Sequence, residues 1–477
     1  MNNTANSRWH ESAGHFICLV TAGFVLSGGM TAADCQGRFS FDVKKDSIKQ
    51  TPSITVKKEI YASSPEPGVG VSVSMYYVGR GCRREEIRCL VRTSDLSDTP
   101  QRRISDDNGQ TWSDWEFIDS EYEKQGNLVQ SSGPTSFGTG VYDPVSGCLI
   151  KLSLQRIIKG DPVVALAEIW KGNRLFADHG FYQLSYDNGS SWSDPNMLKY
   201  EAGPDFDPHD WGHPLYFRTN EMYIGKAVAL QNGTVIITAT VPVPFTDEED
   251  DSIPTFYPGD MRPGCVAGGI CFIGRWDSDR KIYTWVTSDP VFLPRRVSTR
   301  GLDELDIAEL KDGNLMMIIR GSNSGLDPDQ CPGRRWYTIS EDGGHSWSEI
   351  EDIKYDTGES LYSPASISST IRSSVNGKLY WIGNISSSPV KGNGPRYPLY
   401  IVEIDEDSHS FIKETLTTID DRNSVEDSEF LQLSNFFVLE DCKTHSIEIY
   451  LTRLGQRGEG KDLWSADAYK YTISISK

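Results

Sequence analysis

Short apolar runs separated by turn residues repeat from Ile54 to the end of the chain. Six stretches each hold two such runs flanking a turn: Met75–Val91, Val141–Leu152, Ala227–Ile237, Ile307–Ile319, Ile371–Trp381 and Phe437–Leu451. Asn232-Gly233, Asp312-Gly313 and Asn376-Gly377 stand at three of the turns. Asn-Gly or Asp-Gly between apolar arms is a strong hairpin signal, because both residues accept the positive φ that a tight turn needs. Six hairpins at intervals of roughly 60–90 residues describe a repeat fold. The pattern predicts an all-β chain, a six-bladed β-propeller in which each blade is a four-stranded sheet.

A second repeat falls between these hairpins. Ser105–Trp112, Ser185–Trp192 and Ser340–Trp347 share one octamer, with Ser first, Asp third, Gly fifth, Ser or Thr seventh and Trp last. The Asp side chain is suited to bond backbone N–H groups across a turn, and the Gly supplies positive φ. The octamer starts lie 80 and then 155 residues apart, close to one period and two. With strands counted from the axis outward, the turns joining strands one to two and three to four share one face of a propeller. The octamers and hairpin turns are those turns. A ligand at the axis meets the other face, built from the loops joining strands two to three and blade to blade. The octamer Asp residues are therefore expected to be structural.

The charge balance, 47 Lys+Arg against 67 Asp+Glu, excludes a nucleic-acid groove, which needs basic surface to neutralise phosphate. An anionic small ligand remains compatible, since a few arginines can reverse the field inside one pocket. Near the start, Phe16–Leu26 is apolar and is followed by small residues up to Ala33. This pattern predicts a signal peptide over 1–33, a propeller domain over 34–477, and a secreted or periplasmic protein with no membrane span. Of 9 cysteines, Cys18 lies in the leader, and the remaining eight fit disulfides of an exported chain, with Cys82/Cys89 and Cys265/Cys271 as candidate close pairs. No spacing points to a metal or another cofactor.

The octamers resemble the Asp-boxes of the sialidase superfamily. Gly301–Arg320 resembles the sialidase segment in which a Glu, an apolar strand, a turn and a second strand ending in Arg follow in order. That match gives Glu304 the catalytic carboxylate role and Arg320 the role of gripping a substrate carboxylate. Gly394–Leu399 resembles the site of another such arginine, which places Arg396 there. Two parts of the family pattern are missing. Gly68–Met75 holds no arginine where the family has its first, and Leu433 precedes Ser434 where the family has its tyrosine nucleophile. If the layout holds, the general acid lies after the second strand of blade one, where Asp95 and Asp98 are the candidates.

Position alone adds further residues. Arg92, Arg156, Arg320 and Arg453 fall near the ends of second strands, with Thr240 and Asn384 at the matching places elsewhere. Arginine pairs bidentately with carboxylate, so such a ring suits a uronate, sialate or sulfate. Asn220, Tyr223 and Asn435 face the funnel and are candidates for reading sugar hydroxyls, while His179 is an alternative acid or base. Glu309 is expected to have a structural partner, and His209 and His213 to belong to a packed loop. The function these residues imply is a sialidase-like glycoside hydrolase removing a terminal, acidic sugar from a glycan. An exo-arabinanase-like hydrolase, a propeller lyase, or a non-catalytic glycan-binding propeller stays open beside it.

Overall fold

The chain is described from a computed structural model covering residues 15–16 and 54–476, apart from 79–80, 94–95, 119–122, 126–127, 135–139, 162–163, 166–167, 169–170, 172, 208, 211, 245–261 and 263. The expected leader and its cleavage point lie outside the described residues. Six antiparallel sheets follow one another, and each contains one of the hairpins read from the sequence. Blade one runs through Gly70–Tyr77, Arg84–Thr93, Leu96–Ser105 and Glu116–Phe117. Blade four, which carries the site described below, runs through Asp303–Glu309, Leu315–Arg320, Arg335–Ser340 and Glu351–Asp352.

Residue alternation explains why the second strands are continuous apolar runs. In Leu315–Arg320, Met316 and Ile318 enter the apolar cluster shared with blade five, while Leu315, Met317 and Ile319 enter the one shared with blade three. Leu379 and Trp381 of blade five likewise face blade four, and Tyr380 and Ile382 face blade six. A strand of period two packed on both faces needs apolar side chains at every position. The core of this molecule is thus a set of apolar layers between blades.

Ring closure uses the two ends of the described chain. Ile54–Ala62 is the outer strand of blade six, paired with Ala468–Ile475 from Ile54 opposite Ile475 onward. A disulfide joins Cys82, in the first turn of blade one, to Cys442, in the first turn of blade six. This corrects the close pairings expected from the sequence. Cys265 and Cys271 lie in one extended strand, Cys265–Asp277. Six residues of strand span roughly 20 Å, far beyond the reach of a disulfide. Cys82 is bonded to Cys442 and not to Cys89.

The octamers behave as expected and add one detail. Each connects the third strand of its blade to the fourth. In the first, Asp107 accepts from Gln110 N at 2.9 Å, Thr111 N at 2.8 Å and Thr111 Oγ1 at 2.6 Å, while Ser105 Oγ accepts from Gly109 N at 2.7 Å. Asp187 and Asp342 repeat the arrangement with Ser191 and Ser346. Two successive residues of each turn are left-handed: Asn108 and Gly109, Asn188 and Gly189, Gly343 and Gly344. Asn108 N also donates to Cys82 O, so the octamer and the first turn of its blade lie on the same face.

Candidate active site

The opposite end of the inner strands is the funnel face. In blade four the first strand enters with a register irregularity between Asp303 and Asp306, and Glu304 in that bulge has φ of +51°. A bulge re-aims side chains. Here it turns Glu304 onto the neighbouring strand, where Arg320 Nη1 donates to Glu304 Oε1 at 2.8 Å. Arg320 Nη2 donates to Asp303 Oδ2 at 2.7 Å, and Asp303 Oδ1 in turn accepts from Thr240 Oγ1 of blade three at 3.0 Å. Glu304 and Arg320 are each 2% exposed. A left-handed residue also precedes the first strand of two other blades, and there it is Asn: Asn220 has φ of +56° ahead of strand Tyr223–Ala229, and Asn435 has φ of +60° directly before Phe436. Asn tolerates this backbone, whereas Glu rarely adopts it.

Two further arginines extend the cluster across blade five. Arg335 opens the third strand of blade four directly opposite Arg320. Its Nη2 donates to Ser363 Oγ at 3.0 Å, Pro364 O at 3.3 Å and Ser366 O at 2.9 Å. Arg396 approaches the same segment from the far side, with Nη2 donating to Ala365 O at 2.8 Å. Its Nη1 contacts Gln432 Oε1 and Ser434 Oγ of blade six, both at 3.3 Å. Residues 363–366 are therefore clamped between two guanidiniums. Glu304, Arg320 and Arg396 all act electrostatically on Arg335, whose burial pushes its guanidinium down to about 10 against the raising effect of Glu304. Arg335, which sequence reasoning missed, thus stands between the Glu304–Arg320 pair and Arg396: it is cross-strand from Arg320 and holds the same 363–366 segment that Arg396 holds. Nothing in the sequence marks Arg335 apart from its place at the start of a strand.

A second missed feature lies at the axis. Lys226 Nζ of blade three donates to Asp306 Oδ1 of blade four at 2.7 Å and to Thr370 O of blade five at 2.8 Å, while Thr370 N donates to Asp306 Oδ2. Lys226 also sits in a bulge, between Ile224 and Ala227. Its ammonium ties three inner strands together.

The other candidates separate into two groups. Arg156 is held by Asp178 at 2.6 and 2.5 Å across a strand pair, and Arg453 by Asp420 and Asp427, so both are buried in ion pairs that join strands or loops. Arg92 is on the surface, 3.0 Å from Glu66. Asn220 Oδ1 braces the backbone of Tyr200 and Glu201, and Asn384 Nδ2 donates to the carbonyls of Arg396, Pro398 and Leu433. Glu309 caps Gln231 N at 3.0 Å. His179 is fully buried, stacked on Tyr216 at 4.2 Å, with Nε2 on the carbonyls of Tyr216 and Thr219. Desolvation lowers its pKa, and a neutral imidazole donating to two carbonyls is a loop brace rather than an acid or base. Asp95 lies outside the described residues. Asp98 is placed only as backbone, in strand Leu96–Ser105 opposite Leu90.

No protein-family model matches the sequence, and no curated protein matches it. Solved structures do. A protein of unknown function from Dyadobacter fermentans superposes with a TM-score of 0.54 at 15% identity, over 89% of this chain and 100% of that one. The NanB sialidase from Streptococcus pneumoniae, crystallised with a substituted ethanesulfonate, gives 0.51 at 14% identity, over 90% of this chain and 70% of that one. The fold is the sialidase-type six-bladed propeller. Leu433 is fully buried in the apolar layer between blades five and six. No helix among the described residues is long and apolar enough to cross a membrane.

Proposed function

We propose that this chain is an exported glycoside hydrolase of the sialidase-like class that removes a terminal, acidic sugar from a glycan. The observation that carries the reading is Glu304. It is a carboxylate held in left-handed backbone and turned onto a buried arginine at the funnel end of the blades. Strained backbone of this kind persists where the side chain has a task that outweighs the strain. In this reading Glu304 performs or assists attack at the anomeric carbon and Asp95 or Asp98 protonates the departing oxygen. Arg320 meets the acid group, and Arg396 orders the funnel floor through Ala365 and Ser434.

The test is steady-state kinetics on a panel of terminal-sugar glycosides. Glu304→Gln should lower kcat by about 10²–10⁴-fold, with KM little changed. A near-wild-type kcat in Glu304→Gln overturns the assignment. Unchanged kcat/KM in Arg320→Lys points to a neutral sugar, because an ammonium cannot reproduce two parallel bonds to a carboxylate. A second reading, a glycan-binding propeller without turnover, is favoured by the buried Leu433, which leaves the family's nucleophile position apolar. Saturable binding of an acidic glycan with no hydrolysis across the panel selects it.

A further inference from the structure

The blades differ at their outer rims. The outermost strands of blades one, two and four have two residues each: Glu116–Phe117, Asn196–Met197 and Glu351–Asp352. An edge that short offers little backbone for another chain to add to. Blade six ends instead in Ile54–Ala62, which is nine residues long. It pairs with Ala468–Ile475 on one side and with no other strand among the described residues. The rim of this blade therefore presents a long row of backbone N–H and C=O groups that no strand receives.

Lysines on an edge usually repel an added strand. Here their charge is already met. Lys57 Nζ donates to Glu59 Oε2 at 2.7 Å, and Lys58 Nζ donates to both carboxylate oxygens of Asp420 at 3.0 Å. Ile60, on the same edge, is 55% exposed. Val56, Lys58 and Ile60 share the face toward blade five, and Lys57, Glu59 and Tyr61 share the face toward blade one. A second copy that adds antiparallel does so about a two-fold axis perpendicular to the sheet, which keeps each face with itself. Three registers centre on the charged stretch. With Lys57 on the axis, two lysines meet and Val56 meets Lys58. With Glu59 on the axis, two glutamates meet and Ile60 meets Lys58. With Lys58 on the axis, Lys57 meets Glu59 twice and Val56 meets Ile60 twice, while each Lys58 keeps its own Asp420. Opposite charges and apolar pairs directly across two strands stabilise a sheet, and like charges there destabilise it, so the last register is the complementary one.

We infer that Ile54–Ala62 is an interface between two copies of this chain, which join their sixth blades into one continuous sheet with Lys58 on the two-fold axis. The inference does not rest on the catalytic reading, because this edge holds none of the residues assigned to it. The contact is one strand pair wide, so the dimer forms and dissociates with concentration and is not obligate.

The experiment is sedimentation velocity of the whole chain over a concentration series. Wild type should shift from monomer to dimer as concentration rises. Lys57→Glu and Glu59→Lys each set like charges opposite one another twice, and each should weaken association by about tenfold or more. The double variant K57E/E59K restores both cross-strand pairs and should recover the dimer. The Lys57 and Glu59 side chains are 72% and 45% exposed, so thermal midpoints should stay near wild type and show that all three variants fold. Single cysteines fix the register. Residues directly opposite in an antiparallel pair have Cα atoms about 4.5–5.5 Å apart, inside the reach of a disulfide. Lys58→Cys should therefore cross-link two copies under mild oxidation, beyond any cross-linking of wild type, and Lys57→Cys should not. A wild type that stays monomeric throughout the series overturns the interface. So does a dimer that Lys57→Glu leaves intact, a double variant that fails to recover it, or cross-linking through position 57 in place of 58.

Discussion

Two clusters of buried charge sit at opposite faces of the propeller, and they are built on different terms. At the closing seam, every nitrogen of the Arg84 guanidinium is used: Nε on Asn108 at 2.7 Å, Nη1 on Glu448 at 2.7 Å, and Nη2 on Tyr77 at 3.0 Å and Asp441 at 2.6 Å. Asp441 also accepts from the backbone of Lys443 and Thr444, and Cys442 beside it carries the disulfide to Cys82. At the funnel end, Glu304 is held in strained backbone and Arg335 has nitrogens without acceptors. The difference separates two uses of buried polarity. A satisfied network rigidifies a joint that the chain must close across 360 residues. At the funnel end several buried polar atoms have no partner among the described residues.

Arginine-to-methionine changes test that contrast most strongly. Arg84→Met leaves Asp441 and Glu448 buried without their cation, which should cost about 3–5 kcal/mol. Arg335→Met breaks no ion pair, only hydrogen bonds to neutral acceptors and the contact with the Trp381 ring, so its loss of stability should be the smaller. Denaturant midpoints of the two variants measure the gap. Equal losses would mean that Arg335 is paired as fully as Arg84, and the distinction between the two faces would fail.

Acid separates the faces next. Burial alone would raise the Asp441 carboxyl, but the N–H groups of Thr444 and Lys443, with Asn108 and Arg84, hold it at about 2. The exposed octamer carboxylates Asp107 and Asp187 are also held at about 2, first by the Thr111 and Ser191 hydroxyls. An unfolded Asp titrates at about 3.9. Between that value and 2 the unfolded chain binds more protons than the folded one, so falling pH favours unfolding. The stability these groups contribute is complete above the unfolded value and is lost as pH drops through the folded one. Thermal midpoints should therefore fall between about pH 4 and pH 2. Asp441→Asn should start lower at pH 6 and converge on wild type near pH 2. Parallel curves would show that the seam carboxylate is not held down in the folded state.

What the sequence made readable follows from where each signal is stored. The hairpins and octamers are local: Gly233, Gly313 and Gly377 have the positive φ that Asn-Gly and Asp-Gly turns imply, and each octamer closes on its own Asp. Face assignment then followed from topology: Glu304 and Arg320 form one ion pair, and Arg396 holds the segment that Arg335 holds from the other side. The seam was not readable, because Ile54 meets Ile475 and Cys82 meets Cys442 only once six blades have turned a full circle. Arg335 was missed for another reason. Its partners, the 363–366 segment and the Trp381 ring, belong to the next blade, and no local motif records a contact between blades. His179 and Asn220 were overvalued because a funnel-face position does not say whether a side chain points to the ligand or braces a loop.

The smallest expected effect sharpens the comparison from the funnel side. Glu304→Asn and Glu304→Gln both remove the charge that Arg320 meets, and in both Arg320 keeps Asp303. They differ in side-chain length and in backbone preference. Asn enters left-handed backbone readily, as Asn220 and Asn435 do at φ of +56° and +60°, whereas Gln shares the reluctance of Glu. If the Glu304 backbone is strained, the Asn variant should be the more stable of the two by about 1 kcal/mol or less. Both should be inactive, because neither presents a carboxylate. The paired measurement is the difference in denaturant midpoint between the two variants, set beside their turnover on the same glycoside. A Gln variant at least as stable as the Asn variant would remove the strain from the argument, and with it the reason for reading Glu304 as a residue kept for chemistry rather than for the fold.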